Sequence, residues 1–285
     1  MQMTRNEFVN WPQKAVTLLG MSGVGKTYLA NRLPKTNWFH YSGDYRIGTK
    51  YLAEPILDNI KRQAMQVGFL KDLLRSDSIY IANNISVHNL EPVSTFLGKI
   101  GRADLGGLPL DEFKRRQSLH LLAESSAMAD VAEFIDKAHE IYGYDHFLND
   151  AGGSICELPP GQAIDALTEH TLILYLKADP DMEEELIRRA VSDPKPLYFN
   201  DSFLDRKLIE YLGKEKLESA DEIEPDRFVK WMFPELLKHR KPLYEALANE
   251  RGYTVDASLI SGISSESDFI ELIADGIDQK NHRAA

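Results

Sequence analysis

Four residues near the start of the chain have the types and spacing to hold phosphate. Within Val16–Ala30 (VTLLGMSGVGKTYLA), Gly20, Gly25, Lys26 and Thr27 match Gly-x-x-x-x-Gly-Lys-Thr. Glycines let a loop turn successive N–H groups inward onto phosphate oxygens. A helix opening at Lys26 adds its free N–H groups and the positive end of its dipole. Lys26 would reach the β- and γ-phosphates, and Thr27 offers a hydroxyl to Mg²⁺. On this reading Gly20, Ser22, Gly23, Val24, Gly25, Lys26, Thr27 and Tyr28 form a nucleotide site, with ATP and Mg²⁺ as cofactors. The plainer reading is an ordinary strand-to-helix turn.

Such a loop needs a strand before it and a helix after it. AVTLLG is short, partly β-branched and closed by glycine, so it reads as a buried strand. Lys26 to Leu33 reads as the helix, stopped by Pro34. NWFHYSGD is a second strand ending in a Gly-Asp turn. From about Ala53 to Leu74 the pattern is helical, with Ile56, Ile60, Met65, Phe69 and Leu73 near one face. DSIYIAN reads as a third strand, and LGKIGRADLGGLPL as a glycine-rich loop. A long helix follows from Asp111 to Tyr142, with a possible break near Ser125. YDHFLNDAGG is a brief strand opening into a glycine turn. HTLILYLKADPD is the clearest strand, and a helix carrying Glu183, Glu184, Glu185, Arg188 and Arg189 follows it. DRFVKWMFPELLKHRKPLYEALANERG is helical, either tolerating its prolines or broken by them. YTVDAS reads as the last strand, and the polar tail after Asp275 as frayed. Strands separated by helices predict parallel βαβ units. The expectation is an α/β P-loop NTPase fold with a parallel sheet of about five strands. It is a single domain over 1–285, with a helical insertion at about 86–142.

Bulk composition narrows the function. The chain has 285 residues, 43% of them apolar, and a formal net charge of −11. An acidic balance argues against wrapping nucleic acid, which needs a basic footprint. Cys156 is the one cysteine, so no internal disulfide can form. It has no CxxC partner and reads as a small buried hydrophobe. The eight histidines show no metal-ligand spacing, and no nucleophile elbow is present. The first residues lack an apolar core of signal-peptide length, and no run reaches the length of a membrane span. The cytoplasm is the expected compartment, with no membrane or nucleic-acid partner.

Taken in order, five segments resemble P-loop kinases of the shikimate kinase, adenylylsulfate kinase and nucleotide kinase group. GMSGVGKT is the phosphate loop. SGDYR, Ser42 to Arg46, resembles the Gly-Asp-x-x-Arg of adenylylsulfate kinases. NDAGGS, Asn149 to Ser154, stands where shikimate kinases have a glycine triplet, and LILYLKADPD resembles the strand and turn after it. RKPLYEALA, Arg240 to Ala248, is similar to their Arg-x-Pro-Leu-Tyr helix, and YTVDAS then falls at the final strand. The chain departs from shikimate kinases in having only Asp44 after strand two, and Asp150-Ala151 before the two glycines. The acceptor is therefore left open, as is the block from about Ala53 to Tyr142.

The resemblance implies a role for each remaining candidate. Asp44, at the carboxyl edge of the sheet where ligands bind, would orient the acceptor hydroxyl; a turn aspartate is the plainer reading. Arg46 would bind the acceptor. Asp150 would hold Mg²⁺ through water, and Gly152 and Gly153 would let backbone approach the acceptor. Arg188, Arg189 and Lys195 are lid candidates over the transferring phosphoryl group, with Arg115 and Arg116 as rivals. The implied function is an ATP-dependent kinase acting on a small acceptor with a hydroxyl or anionic group. The alternative is a P-loop ATPase or nucleotide-sensing module acting on a protein partner.

Overall fold

The computed structural model describes residues 2–159 and 161–284. The chain divides into two compact units, one of residues 1–43, 125–194 and 230–285, the other of 44–124 and 195–229. Of the block set apart at about 86–142, residues 86–124 lie in the second unit and 125–142 in the first.

The first unit is built on five strands: β1 (Ala15–Leu19), β2 (Trp38–Ser42), β3 (His146–Asp150), β4 (Leu172–Lys177) and β5 (Gly252–Asp256). They lie in the order β2-β3-β1-β4-β5, and every pairing is parallel. All of β1 and the first five residues of β4 are buried. A parallel sheet covered on both faces needs apolar side chains at successive positions, which AVTLL and LILYL nearly supply. The exception is Thr17, whose hydroxyl meets that of Thr171 at 2.8 Å and accepts from Asn149 Nδ2 at 3.2 Å. Register makes three strand ends level: Leu18 and Ser42 both stand opposite Asp150. The loop from Gly20 thus leaves the sheet beside the end of β3.

Helix Lys26–Arg32 follows that loop and stops at Leu33, which is extended ahead of Pro34, as a residue before proline prefers. Helix Pro225–Arg251 runs unbroken with Pro234 and Pro242 inside it, and delivers the chain directly to β5. The C-terminal helix Glu266–Ala284 corrects the expected frayed tail. Arg5 pairs with Glu271, Asp275 and Asp278 along it. Lys280 Nζ donates to the carbonyls of Ala248, Asn249 and Gly252 at 3.2, 2.8 and 2.7 Å.

The second unit is helical. Its core is a ring cluster in which Phe199 lies 6.3 Å from Phe113 and 6.4 Å from Phe203 and Phe228. Arg116 is buried in this unit, donating to Glu112, to the Phe96 carbonyl at 2.6 Å and to Asn59 at 2.8 Å. Gln117 accepts from the Phe199 N–H at 2.8 Å.

Three further expectations are corrected. Residues 77–83 form no strand: Asp77 takes a left-handed backbone (φ 52°), and the Ser78 N–H turns back to the Leu73 carbonyl at 2.9 Å. The helix expected over 53–74 is two helices, Ala53–Ala64 and Gly68–Arg75, because Val67 is extended (ψ 111°). The helix expected over 111–142 breaks at Asp130, between Leu110–Ala129 and Val131–Glu140, rather than at Ser125. Helices Gln162–His170 and Asp201–Glu215 were not expected. Among the described residues no helix is long and apolar enough to cross a membrane.

Candidate active site

The phosphate loop is shaped by close packing as well as by dihedral angle. Gly20 has φ +146°, and a Cβ there would lie 2.9 Å from the Leu176 carbonyl oxygen of the neighbouring β4. No larger residue fits without moving the sheet. Gly25, at φ +106°, is the left-handed residue on which the loop becomes the helix. Lys26 is buried, with its ammonium donating to the Gly20 carbonyl at 2.8 Å and the Met21 carbonyl at 3.2 Å. Thr27 donates its hydroxyl to Asp150 Oδ2 at 2.6 Å. The first helical turn and the end of β3 are thereby joined. Ser22, Gly23 and Tyr28 are exposed, and Val24 is buried.

Asp150 is buried, and His40 on β2 brings Nε2 to 3.6 Å from the same carboxylate oxygen. That is ion-pair distance when the imidazole is protonated, and too long for a hydrogen bond. The Asp150 carboxyl is held below its ordinary range: burial opposes ionisation, but His40, the Lys26 ammonium and the Thr27 hydroxyl together outweigh it. Among the described residues no three His, Cys, Asp or Glu side chains gather as a metal site.

The sheet runs β2-β3-β1-β4-β5, all parallel, and a glycine loop leaves β1 for a helix. The chain has an α/β fold with a five-stranded parallel sheet and a P-loop sequence at its first strand-to-helix turn. No family model and no curated protein matches the chain. Among solved structures, a shikimate kinase from Acinetobacter baumannii in complex with shikimate is 13% identical, covering 90% of this chain and 93% of its own, with a TM-score of 0.40. A shikimate kinase from Bacteroides thetaiotaomicron is also 13% identical, covering 95% and 98%, with a TM-score of 0.36. Likeness at this level carries no argument about activity.

The glycine turn after β3 is held from below. A Cβ on Gly153 would lie 3.1 Å from the Ser22 N–H nitrogen, so this turn lies against the phosphate loop. The Gly153 carbonyl accepts from Arg240 Nη1 at 2.8 Å and from the Tyr244 hydroxyl at 2.7 Å. Arg240 also donates through Nε and Nη2 to Glu157 Oε2 at 3.0 and 2.7 Å, both side chains being buried. His239 Nε2 lies 3.1 Å from the other Glu157 oxygen. Arg240, Tyr244, Glu157 and His40 were not singled out from the sequence. Arg240 and Tyr244 could have been, since they stand four apart on one helical face within RKPLYEALA.

The other sequence candidates are distributed as follows. Gly152 is buried in the turn beside Gly153. Asp44 and Arg46 lie in the short helix Gly43–Arg46 that opens straight off β2, and the Arg46 guanidinium sits 5.7 Å from the Tyr51 ring. Arg188 and Arg189, on helix Pro180–Ser192, are 73% and 60% exposed and both pair with Glu185. Lys195 opens the second stretch of the second unit. Of the rival pair, Arg115 is bound to Glu112 and Arg116 is the buried hub described above.

Beyond the carboxyl ends of β4 and β5 a cleft of about 690 Å³ is lined by Lys177, Asp179, Lys241, Asn249 and Asp256 among others. A nucleoside would fit in a volume of this class.

Two outcomes are expected. Arg240→Ala removes the guanidinium from buried Glu157 and leaves it only His239, lowering stability in urea denaturation by about 3–5 kcal/mol. Arg240→Met combined with Glu157→Leu should lose much less, and additive losses would show the pair to be uncoupled. Asp150 has a folded pKa below its unfolded one, so its stabilisation is full above about pH 4 and is lost as pH falls through the folded value. Asp150→Asn should therefore flatten the acid limb of the stability profile below about pH 4, and an unchanged limb would contradict the assignment.

Proposed function

We propose that the chain is an ATP- and Mg²⁺-dependent phosphotransferase acting on a small acceptor. The observation that carries this reading is the meeting of Lys26, Thr27 and Asp150 at one glycine loop, with Thr27 and Asp150 2.6 Å apart. The residues fit the groups. The loop has room for backbone only at Gly20. A threonine hydroxyl and one carboxylate suit Mg²⁺, which takes its remaining ligands from water and phosphate.

ATP with Mg²⁺ supplies the phosphoryl group and neutralises charge on it. The chain's own residues bind and orient. Main-chain N–H groups of residues 20–27 would cradle the phosphates, and the Lys26 ammonium would pair with them. Thr27 would hold Mg²⁺ directly and Asp150 indirectly. Tyr28 would border the phosphates, and the cleft beyond β4 and β5 would take the nucleoside. Asp44 orients the acceptor hydroxyl, Arg46 binds an anionic part of the acceptor, and Gly152 and Gly153 let it approach the backbone. Arg188, Arg189 and Lys195 are assigned to the transferring phosphoryl group. Positioning and fixed charge supply nearly all of such catalysis.

Mg²⁺·ATP at about 100 times its dissociation constant should stabilise the fold by about 2.7 kcal/mol, a melting shift of a few degrees. Lys26→Ala should remove most of it, and no shift with any nucleoside triphosphate would sink the nucleotide site. Asp44→Asn should keep that shift yet slow transfer from γ-labelled ATP into a small-metabolite extract by about 10²-fold or more. Undiminished transfer would take Asp44 out of the mechanism. Phosphate release indifferent to the extract would instead favour an ATPase.

A further inference from the structure

We propose that Tyr244, with the Arg240–Glu157 pair, is a positioning residue for the phosphate loop, setting the loop's affinity for nucleotide; this role rests on the nucleotide site proposed above. None of the three lies in the loop sequence. They act through the carbonyl of Gly153. A carbonyl oxygen has two lone pairs, and here it has two donors, Arg240 Nη1 at 2.8 Å and the Tyr244 hydroxyl at 2.7 Å. Both donors come from helix Pro225–Arg251, and both side chains are buried. Arg240 is fixed in turn, because Nε and Nη2 donate to the buried Glu157. The far side of Gly153 lies against the phosphate loop, where a Cβ would come within 3.1 Å of the Ser22 nitrogen. A displacement of the turn by a few tenths of an ångström therefore reaches the Ser22 amide.

Tyr244 reaches the loop by a second route. Its ring stacks on that of Tyr175 in β4, with centroids 5.2 Å apart and planes 9° apart. Tyr175 in turn lines a small hollow together with Met21 and Val24 of the loop. One side chain thus bears on Ser22 through its hydroxyl and on Met21 and Val24 through its ring. A cradle of N–H groups binds phosphate well only while those groups stay aimed, since hydrogen bonds weaken steeply with misalignment. A loop held in its binding shape loses less freedom when the ligand arrives.

Tyr244→Phe removes one oxygen and leaves the ring in place. In the full chain, calorimetric titration with Mg²⁺·ATP should show affinity lowered about fivefold, the worth of one hydrogen bond. A merely structural bond would be lost equally with and without nucleotide. Its removal would lower the melting temperature of the free chain and leave the affinity unchanged. Gly153→Ala is the second variant. The Gly153 backbone lies outside the left-handed region, so the added methyl acts mainly by pressing on Ser22, and affinity should fall here too. Unchanged affinity in folded Tyr244→Phe overturns the proposal; if that variant does not fold, unchanged affinity in Gly153→Ala overturns it. No binding of Mg²⁺·ATP by the unaltered chain would overturn the nucleotide site itself, a result distinct from both.

Discussion

An ionised carboxylate held out of water must have compensating partners close by. The Asp150 side chain meets that requirement with three groups from two elements: the Thr27 hydroxyl and the Lys26 ammonium from the first turn of helix Lys26–Arg32, and the His40 imidazole from β2. The requirement therefore ties the end of β3 to β2 on one side and to the helix that follows β1 on the other. The level ends of these strands give Asp150 its place in the fold. The same arrangement gathers one anion, one cation and one hydroxyl at the mouth of a loop of backbone amides. Stability in this unit and the phosphate chemistry proposed for it therefore draw on the same atoms.

A second buried pair extends the arrangement outward. Arg240 and Glu157 bind each other while Arg240 and Tyr244 hold the Gly153 carbonyl. The glycine turn after β3 has no side chains of its own with which to set its path. It takes its path from a helix that begins more than seventy residues later. A buried pair of this kind is weak evidence for stability as such. Its clearer effect is positional, since the turn it holds lies against the Ser22 amide.

Legibility followed range. The phosphate loop is a local pattern, and β1 and β4 are local apolar runs, so the sequence carries them openly. Asp150 was also readable, from a short strand ending in an acid before two glycines. DSIYIAN misled because its composition matches a strand, whereas strand formation also needs a neighbouring edge. The C-terminal tail misled in the opposite direction. Its polar residues looked unattached, yet Arg5 from the far end of the chain pairs with Asp278 within it and with Glu271 and Asp275 ahead of it. Arg116 was a rival lid candidate from the sequence, but it is buried against partners 20 and 57 residues away. Helix Asp201–Glu215 was missed because charges are spread through it rather than confined to one side.

The stretch Ile47–Tyr51, just after Arg46, is wound as a π-helix, with the Leu52 N–H bonded five residues back to Ile47 at 2.8 Å. Ordinary α-winding would set residues 46 and 51 about 140° apart around the axis. The widened coil instead allows Arg46 to sit over the Tyr51 ring. Such a coil amounts to one surplus residue in a helix. Deleting any single residue from it would tighten the spiral, separate the guanidinium from its aromatic support and rotate everything upstream relative to everything downstream. The length of this segment, more than its composition, is what a descendant of this chain would have to preserve.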